Sequence, residues 1–104
     1  MPTQQQITAF NRSVADHIRG IQNQVYRPNY FIQLMTVVGA YEAACQVIQT
    51  TNIPEGFTTL FMANRLDLTI EAFVVRYDSQ NPGVFDQQII EQARRRLAEV
   101  GYHI

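Results

Sequence analysis

YFIQLMTVVGAYEAACQVI, Tyr30 to Ile48, is the longest apolar run in the chain, and the spacing of its polar residues decides the fold. Gln33, Thr36, Glu42, Gln46 and, just beyond, Gln49 recur closer together than a helical turn. The wet stripe therefore winds around a helix instead of keeping to one side. Different sides are dry at the two ends, which describes a central helix with others laid against it. Gly39, Ala40, Ala43 and Ala44 form a low patch where a neighbour can approach closely. The run is not a membrane span, because Glu42 and the glutamines would lie at or near hydrocarbon depth, where such groups are costly. The reading is one continuous helix, capped by Asn29 and lasting to Gln49 or Thr50, before Thr51 and Asn52 release the chain.

Working outward, Ile7, Phe10, Val14, Ile18, Ile21 and Val25 are spaced three and four apart, giving a helix from Thr3 or Gln4 to about Val25 with one apolar stripe. Thr3 and Gln6 have capping-box spacing. Gly20 permits a bend, and Pro28 stops the helix at Arg27. After the central run, Pro54 and Glu55 have first-turn character, predicting a short helix to Asn64 that presents Phe57, Leu60 and Phe61.

Leu68 to Tyr77 supports two readings. Its β-branched and aromatic residues suit a strand, and with FTTLFMA before it the alternative is an α+β fold with a hairpin at 57–77. Thr69 as N-cap, Glu71 in the first turn and Ile70, Phe73, Val74 and Tyr77 at i, i+3, i+4 and i+7 favour a helix. DSQNPG, residues 78–83, reads as a loop, and Asp86 as the cap of a last helix ending near Val100, with Gly101 as its stop. The tail Tyr102, His103 and Ile104 either frays or docks. The expected fold is thus all-α: a compact single domain over residues 1–104, a bundle of about five helices around a central buried one.

A chain of 104 residues with net charge −1 and one cysteine can bury a core without disulfides, and it lacks the basic excess of a polyanion-binding protein. The single thiol and the absence of a leader-like N-terminus in MPTQQQ suggest a cytoplasmic protein. All eight basic residues are arginine, which removes every chemistry that needs a lysine, Schiff bases and the phosphate-loop lysine among them. Twelve glutamines supply much of an uncharged helical exterior.

No motif indicates a catalytic residue, a metal site or a cofactor. Cys45 lies among Ala44, Val47 and Ile48 as a core residue with no basic neighbour to activate it. His17 borders the stripe of the first helix, and Asp16 beside it points about 100° away. Residues 78–89 have the first acid and sixth glycine of a calcium loop, but Gln80, Pro82 and Ile89 occupy positions that need ligands. Arg94, Arg95 and Arg96 point in three directions on one helix, so they do not form one patch; with Glu91 and Arg95 at i, i+4 they read as solvated, salt-bridged residues, and Arg94 and Arg95 are candidate contacts for an anionic partner.

FMANRLDLTIEAFV, residues 61–74, resembles the helix-turn-helix pattern of DNA-binding repressors. Ala63 stands at the small position of the first helix, a turn runs through Leu66 to Leu68, and Thr69 opens the second helix. The resemblance implies that the helix reaching Tyr77 would enter the major groove with Thr69, Glu71 and Arg76. Asp67 stands where that turn usually has glycine, and Glu71 would face phosphate.

With 46% apolar residues and eleven aromatics, the domain has apolar surface left over, Val75 among it if Ile70, Phe73 and Val74 face inward. The leading expectation is a helical binding protein without intrinsic catalysis, a homodimer or a docking module for another protein. Its surface would comprise Phe57, Phe61, Phe73, Val75 and Tyr77, with Arg76 at the rim. The DNA binder is the alternative. A third reading, an enzyme or ligand carrier, would place a pocket beside the central helix near Tyr30, Tyr41 and Glu42, with Glu42 and Glu71 as its first candidate acids.

Overall fold

The structure is a computed structural model that describes residues 2–50 and 52–103. Among these residues the chain is all helical. It runs through α1 (Gln4–Gln24), α2 (Asn29–Val38), α3 (Ala40–Gln49), α4 (Glu55–Met62), a 3-10 turn (Leu66–Leu68), α5 (Ile70–Gln80) and α6 (Gln87–Ala98). The hairpin at 57–77 is excluded, since that stretch forms α4, the turn and α5. The expected release at Thr51, and Ile104 of the tail, lie outside the described residues.

The central run is two helices instead of one. Gly39 has φ 87° and ψ 158°, a backbone region that residues with a Cβ avoid. Its N–H still closes on Met35 O at 2.9 Å, ending α2, and Ala40 then starts α3. Neither Gly39 nor any side chain of α3 caps that new start. Asn11 of α1 does so, its Oδ1 accepting the Tyr41 N–H at 3.0 Å. A break inside an apolar run is thus stabilised by a polar group from a distant helix, which satisfies one of the donors a helix start leaves open.

The core lies between α1, α3, α5 and α6. α1 contributes Phe10, Val14, Ile18 and Ile21, the expected stripe, and its Thr3–Gln6 capping box forms in both directions. α3 contributes Ala40, Ala43, Ala44, Cys45, Val47 and Ile48, with its small residues fully enclosed as the low patch foresees. Phe10 is the centre of a five-ring cluster, with ring centroids 4.9 Å from Phe85, 5.1 Å from Tyr77, 5.8 Å from Phe73 and 6.1 Å from Tyr41. Edge-to-face contacts of this kind add to the burial of the rings themselves.

α5 shares the central position with α3. Thr69 caps it through Ala72 N, and Ile70, Glu71, Ala72, Val74 and Val75 are all buried. Val75 is a correction: it is 1% exposed, because α5 is covered on more than one side and the residue opposite Phe73 meets other protein instead of water. The expected loop at Asp78 begins later, since α5 continues to Gln80 and Gly83, at φ 91°, makes the turn. Val84 and Phe85 follow that turn into the core, placing Phe85 just ahead of the Asp86 cap where a hydrophobic staple sits. Asp86 stands at the N-cap of α6 without a side-chain bond to it, and Gly101, at φ 85°, lies past the helix end as expected.

Candidate functional site

Glu71, one of the two candidate acids of the pocket reading, is buried and ion-paired. Arg96 Nη1 donates to its Oε2 at 2.7 Å, with both side chains no more than 5% exposed. The same guanidinium donates to Val47 O at 3.1 Å, Ile48 O at 3.3 Å and Thr50 O at 2.5 Å. Those carbonyls end α3, so Arg96 acts as a C-terminal cap supplied by α6, where a cation also suits the helix dipole. Burial pushes the Glu71 carboxyl above its ordinary range, opposed by the Arg96 bond. From the sequence all three arginines of residues 94–96 are expected in solvent. Arg94 and Arg95 are exposed as expected, whereas Arg96 sits on the stripe of α6 with Ile89, Ala93 and Leu97, and that seven-residue spacing from Ile89 was the missed signal.

Glu71 also lines a mainly apolar cleft of about 210 Å³. Ile18 and Ile21 of α1, Phe31 of α2, Val47 of α3 and Phe57 and Leu60 of α4 form its apolar wall, with Tyr26 and Tyr30 beside them. The corner between α1 and α2, residues 26–29, also lines it. Tyr26 Oη reaches across to Gly56, where a Cβ would stand only 2.6 Å away. Burial raises the pKa of the Tyr26 phenol, and the charges of Glu55 and Glu71 raise it further. Of the pocket residues foreseen, Tyr30 borders this cleft. Tyr41 and Glu42 lie elsewhere: Tyr41 stacks on Phe85 and donates to Val84 O at 3.0 Å, and Glu42 is exposed and accepts from Gln46. Tyr41 is pushed up to about 12 and Cys45 to about 11, burial being the first cause of each, so neither ionises near neutrality.

The surface residues divide differently from expectation. Phe57 is buried in a small cluster with Ala72 and Leu97, and Phe73 and Tyr77 belong to the ring cluster around Phe10. Arg76 turns inward to donate to the Asp67 carbonyl, and Asp67 in turn holds Arg65 at 3.1 Å. The Arg65 guanidinium keeps the Asp67 carboxyl below the usual carboxylate range. His17 Nε2 bonds Leu68 O at 2.8 Å, and its ring lies 4.5 Å from that of Phe73. Of the proposed surface set, Phe61 is openly exposed.

Among the described residues, the exposed large apolar side chains lie on α2 and on or just before α4. Helix α2, NYFIQLMTVV, buries a single residue, Phe31. Tyr30 is 66% exposed and Val37 80%, with the exposed Gln33 between them at i, i+3, i+7 spacing, while Leu34 is half-buried against the core. Thr36 on the flank spends its hydroxyl on Ile32 O at 2.9 Å, which leaves the outer side less polar than its sequence suggests. Ile53, next to the cleft residue Pro54, and Met62 at the end of α4 are exposed as well.

The helix-turn-helix segment is present as helix, turn and helix, but its second helix faces inward. Thr69 to Val75 are buried except for the half-buried Phe73, and Glu71 is held inside by Arg96. Among the described residues, no three side chains of His, Cys, Asp or Glu gather as a metal group, and no helix is long and apolar enough to cross a membrane. No protein-family model, curated protein or solved structure matches the chain.

Proposed function

We propose that this protein acts by binding, as a homodimer whose subunits meet across the outer side of α2, with no catalytic group of its own. The observation that carries this reading is the exposure of Tyr30, Val37 and Val38 on α2, a helix whose other apolar residues pack on the core. A face of that kind is usually covered by a partner, and a second copy is the commonest one. Ten residues make a helix about 15 Å long, whose one side covers less than the roughly 800 Å² per subunit of a standard interface. Ile53 and the exposed end of α4 are the apolar residues that would extend it. We place the protein in a reducing cytosol on the strength of its single, buried thiol.

Light scattering over a concentration series, at low and high salt, tests the proposal. A mass of twice the 12.0 kDa chain, indifferent to salt because the contact is apolar, supports it. Val37→Asp should then give a folded monomer, since Val37 contributes almost nothing to the core. A wild-type monomer at every concentration refutes the dimer. Duplex-DNA binding has no comparable support, because α5 offers no open polar face.

A further inference from the structure

The cleft between the α1–α2 corner and α4 has a size and a lining that the dimer does not require. We infer that it binds a small neutral molecule, a single aromatic ring with one short uncharged polar substituent, seated against Phe31 and Phe57 with the substituent at the Tyr26 hydroxyl. Size sets the first limit. A cavity of about 150 Å³ accommodates benzene and drug-sized sites start at about 300 Å³. At about 210 Å³ the cleft suits one ring and a short substituent. The wall sets the second. Ile18, Ile21, Phe31, Phe57, Leu60 and Ile70 line the cleft, and each is no more than 8% exposed. Side chains this well enclosed bound a space that water wets poorly, and a ring placed there gains dispersion contacts with them.

Charge sets the third. Glu71 is 2% exposed and closed on Arg96, so the depth of the cleft carries a matched pair. Glu55 and Arg27 also line it, but both are exposed and they are opposite in sign. Glu55 already lies in the first turn of α4, where it meets the positive end of that helix. No charge remains in the cleft to offset the hydration an ion would lose against the apolar wall, so the site favours a neutral molecule. The Tyr26 hydroxyl supplies the polar contact. It stands at Gly56, another lining residue, where a Cβ would lie 2.6 Å away, and it makes no hydrogen bond among the described residues. A phenol both donates and accepts, so one neutral polar group satisfies it.

The test is amide and methyl NMR on isotopically labelled protein titrated with benzyl alcohol, toluene, benzoate and benzylammonium, which share one ring and differ in polarity and charge. The wild type and the Val37→Asp variant are both titrated, so that a cleft covered by dimerisation is distinguished from one that does not bind. Benzyl alcohol should give saturable shifts at the Gly56, Leu60 and Ile70 amides, with nuclear Overhauser contacts from its ring to the methyl groups of Ile18 and Leu60. Both ions should bind more weakly by about tenfold or more, because neither finds a partner for its charge. Tyr26→Phe should weaken benzyl alcohol about fivefold, as loss of one neutral hydrogen bond does, and leave toluene unchanged. The proposal is overturned if either ion binds as well as benzyl alcohol, if benzyl alcohol leaves those amides unmoved in both proteins, or if Tyr26→Phe binds benzyl alcohol like wild type.

Discussion

The Arg96 guanidinium stands 2.7 Å from the Glu71 carboxylate inside the domain and also gathers three carbonyls from the end of α3. One side chain thereby ties α6 to α5 and to α3. Removing either partner leaves a buried charge unmatched, which costs about 3–5 kcal/mol. Arg96→Met is expected to lose that much in urea unfolding. Arg96→Lys should restore little of it, because an ammonium cannot serve four acceptors spread around a planar fork. Glu71→Gln combined with Arg96→Met should be less harmful than the two single losses added together, and simple additivity would contradict a coupled pair.

His17 makes folding sensitive to mild acid. Burial lowers its pKa below 6.5, assisted by Arg76, while its bond to Leu68 O and the charge of Asp67 act the other way. A histidine held neutral in the folded state and protonated in the unfolded one contributes stability that is complete above the unfolded pKa. That stability is lost as pH falls through 6.5 toward the lowered folded value. Stability should therefore decline on going from neutral to mildly acidic solution, before the carboxylates titrate. His17→Gln should flatten that part of the pH profile, and a variant whose profile matches wild type would rule the histidine out as its source.

These features mark how far the sequence could be read. The stripes of α1 and α6, the Thr3 and Thr69 caps and the helical character of α5 follow from local spacing, and each appears where spacing puts it. What escaped depends on residues far apart in the chain. Val75 is buried because α5 is covered on several sides, which no single-helix pattern reveals. Phe85 looks like a loop residue until the turn at Gly83 carries it onto Phe10. Arg96 reads as one of three surface arginines until the end of α3 is set beside it. Tyr30, Val37 and Val38 are exposed on α2, where one continuous central helix would have enclosed them. Gly39 alone distinguished the two cases, and a helix interior tolerates a glycine well enough that the break was not forced.

Cys45 should be a poor nucleophile. It is buried, and its thiol is pushed up to about 11 from 9.0, so its thiolate fraction at mildly alkaline pH is about a hundredfold below that of an ordinary cysteine. Its reaction with a disulfide reagent should be slower in the folded protein than in denaturing urea by at least about that factor. Equal rates would show that α3 opens readily at this position.

Gly20 and Gly39 offer a matched pair of substitutions with opposite expected signs. At both positions an added Cβ meets nothing within 4 Å, so clash plays no part in either. Gly20 lies inside α1 without a positive φ, and alanine there should stabilise the protein by roughly 0.5–1 kcal/mol through its better helix propensity. Gly39 is held at φ 87° and ψ 158°, where a side chain is strained, and alanine should cost about 1–3 kcal/mol. The protein could escape that strain by joining α2 and α3 into the single helix that the sequence first suggests. Doing so would withdraw the Tyr41 N–H from Asn11 and lift Phe31 off the core. Asn11→Ala distinguishes the two responses. Added to Gly39→Ala, it costs its usual amount if the break persists and nothing further if the helices have fused. Fusion would also carry Tyr30 and Val37 away from their present place, so light scattering on Gly39→Ala reports whether dimerisation needs α2 in this position.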